Sequence, residues 1–227
     1  MIVGKGLIAS SFEEFKVDKS IIIFASGVSD STQTDKNEFL REISLLKKVL
    51  EENKNRQLIY FSSCSLEDDG LKNTPYHVHK KYMEDFIKKN VDNYLIFRLP
   101  NVIGYKGSKE SIINFLYNKI STDNSFKLWR YATRNIIDVE DLKNIITYII
   151  KQKYFSNDTI NIAYENNIGI IDIVNTIEEI LEKKSNYSIV DKGMDLKIDN
   201  TKIMPILKEL EISQPSIEFL IKKYKLS

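Results

Sequence analysis

The chain has 227 residues, 33 basic and 32 acidic side chains, a net charge of +1 and a single cysteine. Near-cancellation of charge argues against an electrostatic nucleic-acid binder, which carries a basic excess or stripe; one thiol with two histidines excludes an internal disulfide framework and argues against a structural zinc site. No apolar run approaches the roughly 18 residues of a membrane span and no signal-peptide layout opens the chain, so a cytoplasmic protein with one substantial domain is expected.

Met1–Val3 reads as a short strand, Gly4-Lys5-Gly6-Leu7-Ile8-Ala9 as a tight glycine turn, and the residues through Phe15 as a helix. Ile21–Phe24 is a continuous β-branched and aromatic run, the pattern of a strand buried on both faces. It ends in the small residues Ala25-Ser26-Gly27. Phe39, Ile43, Leu46 and Leu50 fall at helical spacing, predicting a helix over Asn37–Glu52. Gln57–Phe61 is the next buried strand and runs into Ser62-Ser63-Cys64-Ser65.

Thr74 is a good N-cap, Pro75 suits the first helical position, and Lys88 and Lys89 suit a last turn, predicting a helix over Thr74–Asn90. Tyr94–Leu99 is a further strand, followed by Pro100-Asn101-Val102-Ile103-Gly104. Beyond it, helices are predicted over Ser108–Ile120, Asp138–Lys151, Ile171–Lys183, Thr201–Leu210 and Ser216–Tyr224. Extended pieces are predicted at Phe126–Trp129, Asn135–Ile137, Thr159–Ala163 and Tyr187–Val190. Strands alternating with helices indicate βαβ units and a parallel sheet.

Within the Thr74–Asn90 helix, Tyr76 and Lys80 stand four residues apart and share a face. A cation beside a phenol favours the phenolate, so this pair suits proton transfer at a carbonyl or carbinol oxygen. Ser63, at the carboxyl end of a buried parallel strand, lies where such sheets bind ligands. Its hydroxyl can hydrogen-bond the oxygen that Tyr76 protonates. Cys64 takes that place if the register slips by one, but a thiol is the poorer donor. Gly4 and Gly6, after a strand and before a helix, allow close backbone approach to a pyrophosphate. Arg134 suits a phosphate or carboxylate through its planar fork, or a salt bridge to Asp138 or Glu140. His77 and His79 fit packing or surface roles better than metal ligation.

These pieces, in this order, resemble the extended short-chain dehydrogenase/reductase family, in particular its NAD-dependent epimerase/dehydratase branch acting on nucleotide sugars. The resemblance rests on Gly4–Ala9, Phe24–Gly27, Ile59–Ser63, Tyr76-x-x-x-Lys80-x-x-x-Glu84, Arg98–Gly104 and Arg134–Leu142. It implies a Rossmann-like doubly wound sheet over residues 1–105, with 135–163 returning to it and 106–134 and 164–227 forming a smaller substrate-binding portion. It also implies NAD or NADP held by Gly4, Gly6, Leu7, Ile8, Ala25, Ser26, Gly27, Tyr76, Lys80 and Leu99. Tyr76, Lys80 and Ser63 would be catalytic, and Asn101, otherwise a plain turn residue, would join Arg134 in binding a nucleotide-sugar substrate. A homodimer through the Asn37–Glu52 and Thr74–Asn90 helices follows from the same resemblance.

Two features depart from the family. The glycine turn is G-x-G-x-x-A where the family has G-x-x-G-x-x-G. The strand at Ile21 also follows the first helix directly, where the family inserts a strand, a helix and a strand. That unit carries the acidic residue for the adenine ribose, and nothing here stands in its place, Asp18 being too early. A sheet of about five main strands with Met1–Val3 near an edge is expected. The preferred activity is 4-keto reduction of a deoxysugar nucleotide for surface polysaccharide synthesis. The alternatives are nucleotide-sugar epimerisation, non-catalytic dinucleotide binding or sensing, and a scaffold role in polysaccharide assembly.

Overall fold

A computed structural model describes residues 1–105 and 111–224. The chain opens with β1 (Ile2–Val3), α1 (Leu7–Ser11), β2 (Ile21–Phe24), α2 (Lys36–Glu52), β3 (Gln57–Ser63), α3 (Pro75–Asn90) and β4 (Tyr94–Leu99). A second stretch follows: β5 (Asn101–Ile103), α4 (Ile112–Ser121), β6 (Phe126–Trp129), β7 (Thr133–Arg134), β8 (Ile136–Asp138) and α5 (Val139–Gln152). The remainder is β9 (Asp158–Asn161), β10 (Ile168–Gly169), α6 (Ile170–Leu181), β11 (Tyr187–Val190), α7 (Met204–Glu209) and α8 (Ile217–Tyr224).

The main sheet of the described residues is parallel throughout, in the order β1-β2-β3-β4-β9, so β1 is an edge strand. Removing strands 3 and 2 from the doubly wound order 3-2-1-4-5-6 leaves 1-4-5-6, the order of β1-β2-β3-β4, beside which β9 adds a fifth strand. Alternate side chains of β2 to β4 feed two cores. Ile21, Ile23, Ile59, Phe61, Leu95 and Phe97 pack on Phe12, Phe15 and the apolar stripe of α5. Ile22, Phe24, Leu58, Tyr60 and Ile96 pack on Leu46 and Val49 of α2 and Met83 and Ile87 of α3.

The connections β1–α1–β2, β2–α2–β3 and β3–α3–β4 all step across the sheet in one direction, yet α1 lies on the α5 face and α2 and α3 on the other. The first connection therefore has the opposite hand to the next two. Parallel crossovers are right-handed in about 98% of cases. Loss of a strand–helix–strand unit between α1 and β2 leaves α1 on its original face and produces this reversal.

A third core joins α4, β6, α6 and α8 with Ile103 and Ile136. Ile203, Ile206 and Leu207, assigned from the sequence to the smaller portion, pack in the first core instead. The expected first helix is interrupted: α1 stops at Ser11 and a 3-10 turn spans Glu13–Phe15. Asn101–Ile103 pairs in parallel with Ile136–Asp138, a strand that the Pro100 neighbourhood hid. The first residues of the expected Ser108–Ile120 helix, and the expected boundary between portions at 105/106, meet the segment 106–110, outside the described residues.

Candidate active site

The carboxyl ends of β1 to β4 bring the glycine turn, the Ala25–Gly27 loop, Ser63 and Leu99 to one edge of the sheet. β1 leads to a helix on one face and β2 to a helix on the other, so the loops after them flank a switch point of the sheet, the place where such sheets bind ligands in a crevice. Gly4 sits at φ +131°, and a Cβ there would lie 2.3 Å from the Ala25 carbonyl oxygen, so the two loops are pressed together at this glycine. Beyond Gly6 no heavy atom comes within 4 Å of a built Cβ. Leu7 and Ile8 turn their side chains toward the cores and Leu99 is buried. These three reach a ligand only through backbone groups.

Thr74 caps α3, its hydroxyl accepting from the His77 amide, with Pro75 in the first turn. Tyr76 is buried, and its hydroxyl has no hydrogen-bond partner among the described residues. The Lys80 ammonium lies 6.0 Å from the Tyr76 ring centroid and 5.2 Å from that of Tyr60. Lys80 does not open onto the crevice. It is buried and donates to Glu42 Oε1 and to the Tyr60 hydroxyl, each at 3.2 Å. The Glu42 side chain, 0% exposed, also accepts from Tyr60 at 2.6 Å, from the Val28 amide at 2.6 Å and from His79 Nε2 at 2.8 Å. Burial opposes the Glu42 charge, but the Lys80 ammonium and these hydrogen bonds outweigh it and hold the carboxyl down to about 2.

Ser63 Oγ lies 2.8 Å from Ser65 Oγ and accepts from the Ser65 amide. Cys64 is buried, its thiol donates to the Arg98 carbonyl, and burial pushes its pKa far up. Of the two neighbours, Ser63 is therefore the half-buried group at the strand end. Glu84, the third residue of the helical motif, forms a two-pronged pair with Arg98, at 2.8 Å on each prong. Arg98 also donates to Glu67 and works as a structural cation.

Asn101, the first residue of β5, donates through both its backbone and side-chain nitrogen to the Asn135 carbonyl. Arg134 is half-buried and donates to its own neighbour, the Thr133 carbonyl. Desolvation lowers its pKa, with Asp68 acting in the opposite direction. The alternative salt bridge is not formed: Asp138 and Glu140 pair with Lys223. His79 is a buried partner of Glu42 and His77 is buried beside it in sequence.

Glu42 and Tyr60 did not stand out in the sequence. A signal for Glu42 exists: it falls three residues after Phe39 and four before Leu46, on the apolar face of α2. A carboxylate on such a face needs a buried partner. Nothing in the Gln57–Phe61 run distinguishes Tyr60 from its apolar neighbours. Arg41, also unmarked, donates to the Ser26 carbonyl at 3.2 Å and steadies the small-residue loop.

A parallel sheet with helices on both faces, a crevice at its carboxyl edge and a tyrosine–lysine helix beside it define a protein of the Rossmann-type dehydrogenase/reductase class. Residues 4–163 match the sequence profile of the NAD dependent epimerase/dehydratase family, and the chain belongs to that family. Among solved structures it is similar to UDP-glucose 4-epimerase of Thermus thermophilus in complex with NAD, at TM-score 0.69 and 10% identity over 97% of this chain and 83% of that one. UDP-N-acetylglucosamine 4-epimerase of Bacillus cereus gives 0.67 and 17%, over 99% and 94%. MoeE5, in complex with UDP-glucose and NAD, gives 0.75 and 12%, over 98% and 95%. At these identities the likeness carries the fold alone. A search of curated proteins finds no match.

Proposed function

We propose that the chain is an oxidoreductase of nucleotide-activated sugars, using NAD or NADP in a 4-keto reduction with Tyr76 as proton donor. The observation that carries this reading is the Tyr76 hydroxyl: it tops a buried ring on the family's active helix and is not engaged by any described residue. The crevice fits the nicotinamide end of a dinucleotide. Gly6 leaves open space beside the turn, and Ser63 and Tyr76 supply two hydroxyls. The adenosine end has no strand to lie on, because β1 is the sheet edge.

A bound nicotinamide would supply hydride chemistry at the sugar carbon. Ser63 hydrogen-bonds the carbonyl oxygen and Tyr76 transfers its phenolic proton to that oxygen as it becomes a hydroxyl. Arg134, free of carboxylate partners among the described residues, suits the substrate diphosphate. Reduction needs no acid beyond these groups. The positions after Ser63 are a core thiol and a serine bound back to Ser63, which does not favour dehydration.

The decisive experiment is turnover of a 4-keto sugar nucleotide. Tyr76→Phe should lower kcat by about 10²–10⁴-fold and leave NADH affinity within about twofold; unchanged turnover would reject Tyr76 as the donor. A second reading, dinucleotide binding without turnover, is favoured by the engagement of Lys80 with Glu42. It predicts NADH binding with no turnover in the unsubstituted protein.

A further inference from the structure

Among the acids of α2, Glu42 alone is buried, and it collects four donors. Three of them are short: Tyr60 and the Val28 amide at 2.6 Å and His79 at 2.8 Å. Lys80 is the distant one at 3.2 Å, longer than the 2.7–2.9 Å usual for an ammonium on a carboxylate. Were Lys80 to leave, the carboxylate would keep three hydrogen bonds and no orphaned lone pair would result. Lys80 itself has three N–H groups, of which two are used, on Glu42 and Tyr60.

The loop after β2 lies against the same ammonium. A Cβ on Gly27 would lie 2.8 Å from Lys80 Nζ and 2.9 Å from Glu42 Oε1, so the loop at the crevice rests directly on the ion pair. A side chain at this position would have to displace the end of Lys80 or of Glu42. The Val28 amide ties the same loop to Glu42, so loop, lysine and carboxylate form one unit.

We propose that Glu42 is a positioning residue that holds Lys80 away from the crevice, and that a dinucleotide binds by drawing Lys80 from Glu42 onto its ribose hydroxyls, so that Glu42 sets the affinity. The inference rests on the dinucleotide reading above. A binding-competent state that is only partly populated weakens apparent affinity in proportion. Removing the competing charge therefore strengthens binding.

The test is an NADH titration followed by nicotinamide fluorescence on the unsubstituted chain, Glu42→Gln, Lys80→Met and the double variant. Glu42→Gln should bind about tenfold tighter, Lys80→Met more weakly than the unsubstituted chain, and the double variant as weakly as Lys80→Met, since the gain needs the lysine. If Glu42→Gln fails to fold by circular dichroism, Glu42→Asp, one methylene shorter, should show the same gain at a smaller size. Binding by the unsubstituted chain with no gain in the folded Glu42 variant overturns the role of Glu42 and leaves the dinucleotide reading intact. Binding by Glu42→Gln alone supports the role of Glu42. No binding by any variant at about millimolar NADH overturns both.

Discussion

Glu42 and Glu84, both fully buried, each hold a cation of the tyrosine helix or its neighbouring strand. Glu42 takes Lys80, and Glu84 takes Arg98. Burial works against the Glu84 charge, but the two-pronged Arg98 contact prevails and keeps its carboxyl below the ordinary glutamate value. Both carboxyls are thus depressed in the folded state, so their contribution is complete above the unfolded value of about 4.5 and is lost as pH falls, for Glu42 toward about 2. Urea midpoints should be flat near neutrality and decline on acidification below that value. Glu84→Gln should flatten the acid limb while costing about 3 kcal/mol at neutral pH, because it leaves Arg98 half-paired in a buried place. A Glu84→Gln protein with the original acid limb would refute the assignment. The placement of Tyr76 and Lys80 on one helix and of Ser63 at a strand end was legible, because helix caps and strand patterns are local. Glu42 was not, because a helical glutamate reads by default as a solvated one.

At the scale of elements, α2, α3, α5 and α6 lie within about two residues of their expected bounds, α2 from its apolar spacing and α3 from its N-cap, Pro75 and last-turn lysines. The failures are short segments. The helix after the glycine turn breaks at Phe12, whose ring is drawn into the core beside Phe61. Asn101–Ile103 became a strand because Ile136–Asp138, far along the chain, offers it a partner. No local pattern encodes that pairing. The outer faces of α2 and α3 leave Leu40, Val78 and Tyr82 exposed at 58%, 55% and 46%. Such a patch suits a second copy of the chain. Sedimentation should show a dimer, and Val78→Glu with Tyr82→Glu should give a folded monomer; a monomer without substitution would contradict the shared helix interface.

For the whole molecule, the missing strand–helix–strand unit is the dominant fact. It makes β1 an edge, reverses the hand of the first crossover and removes the platform that meets adenosine. Affinity should therefore come from the nicotinamide end. NADH and NADPH are expected to bind within about threefold of each other, and reduced nicotinamide mononucleotide within about tenfold of NADH. A preference of NADH over NADPH by about a hundredfold would show that another part of the chain reads the adenine ribose.

Composition, periodicity and motif spacing determined by themselves that this is a parallel α/β chain with a tyrosine, a lysine and a serine at one sheet edge. Those features are local, set by side-chain period and by which residues end each strand. Tertiary structure alone decided the rest: α1 lies opposite α2, Arg134 has no carboxylate partner among the described residues, and Lys80 faces Glu42 from 38 positions away. The first follows from the lost unit; the other two depend on which charges meet across the fold, and burial makes such meetings obligatory without writing them into any local stretch of sequence.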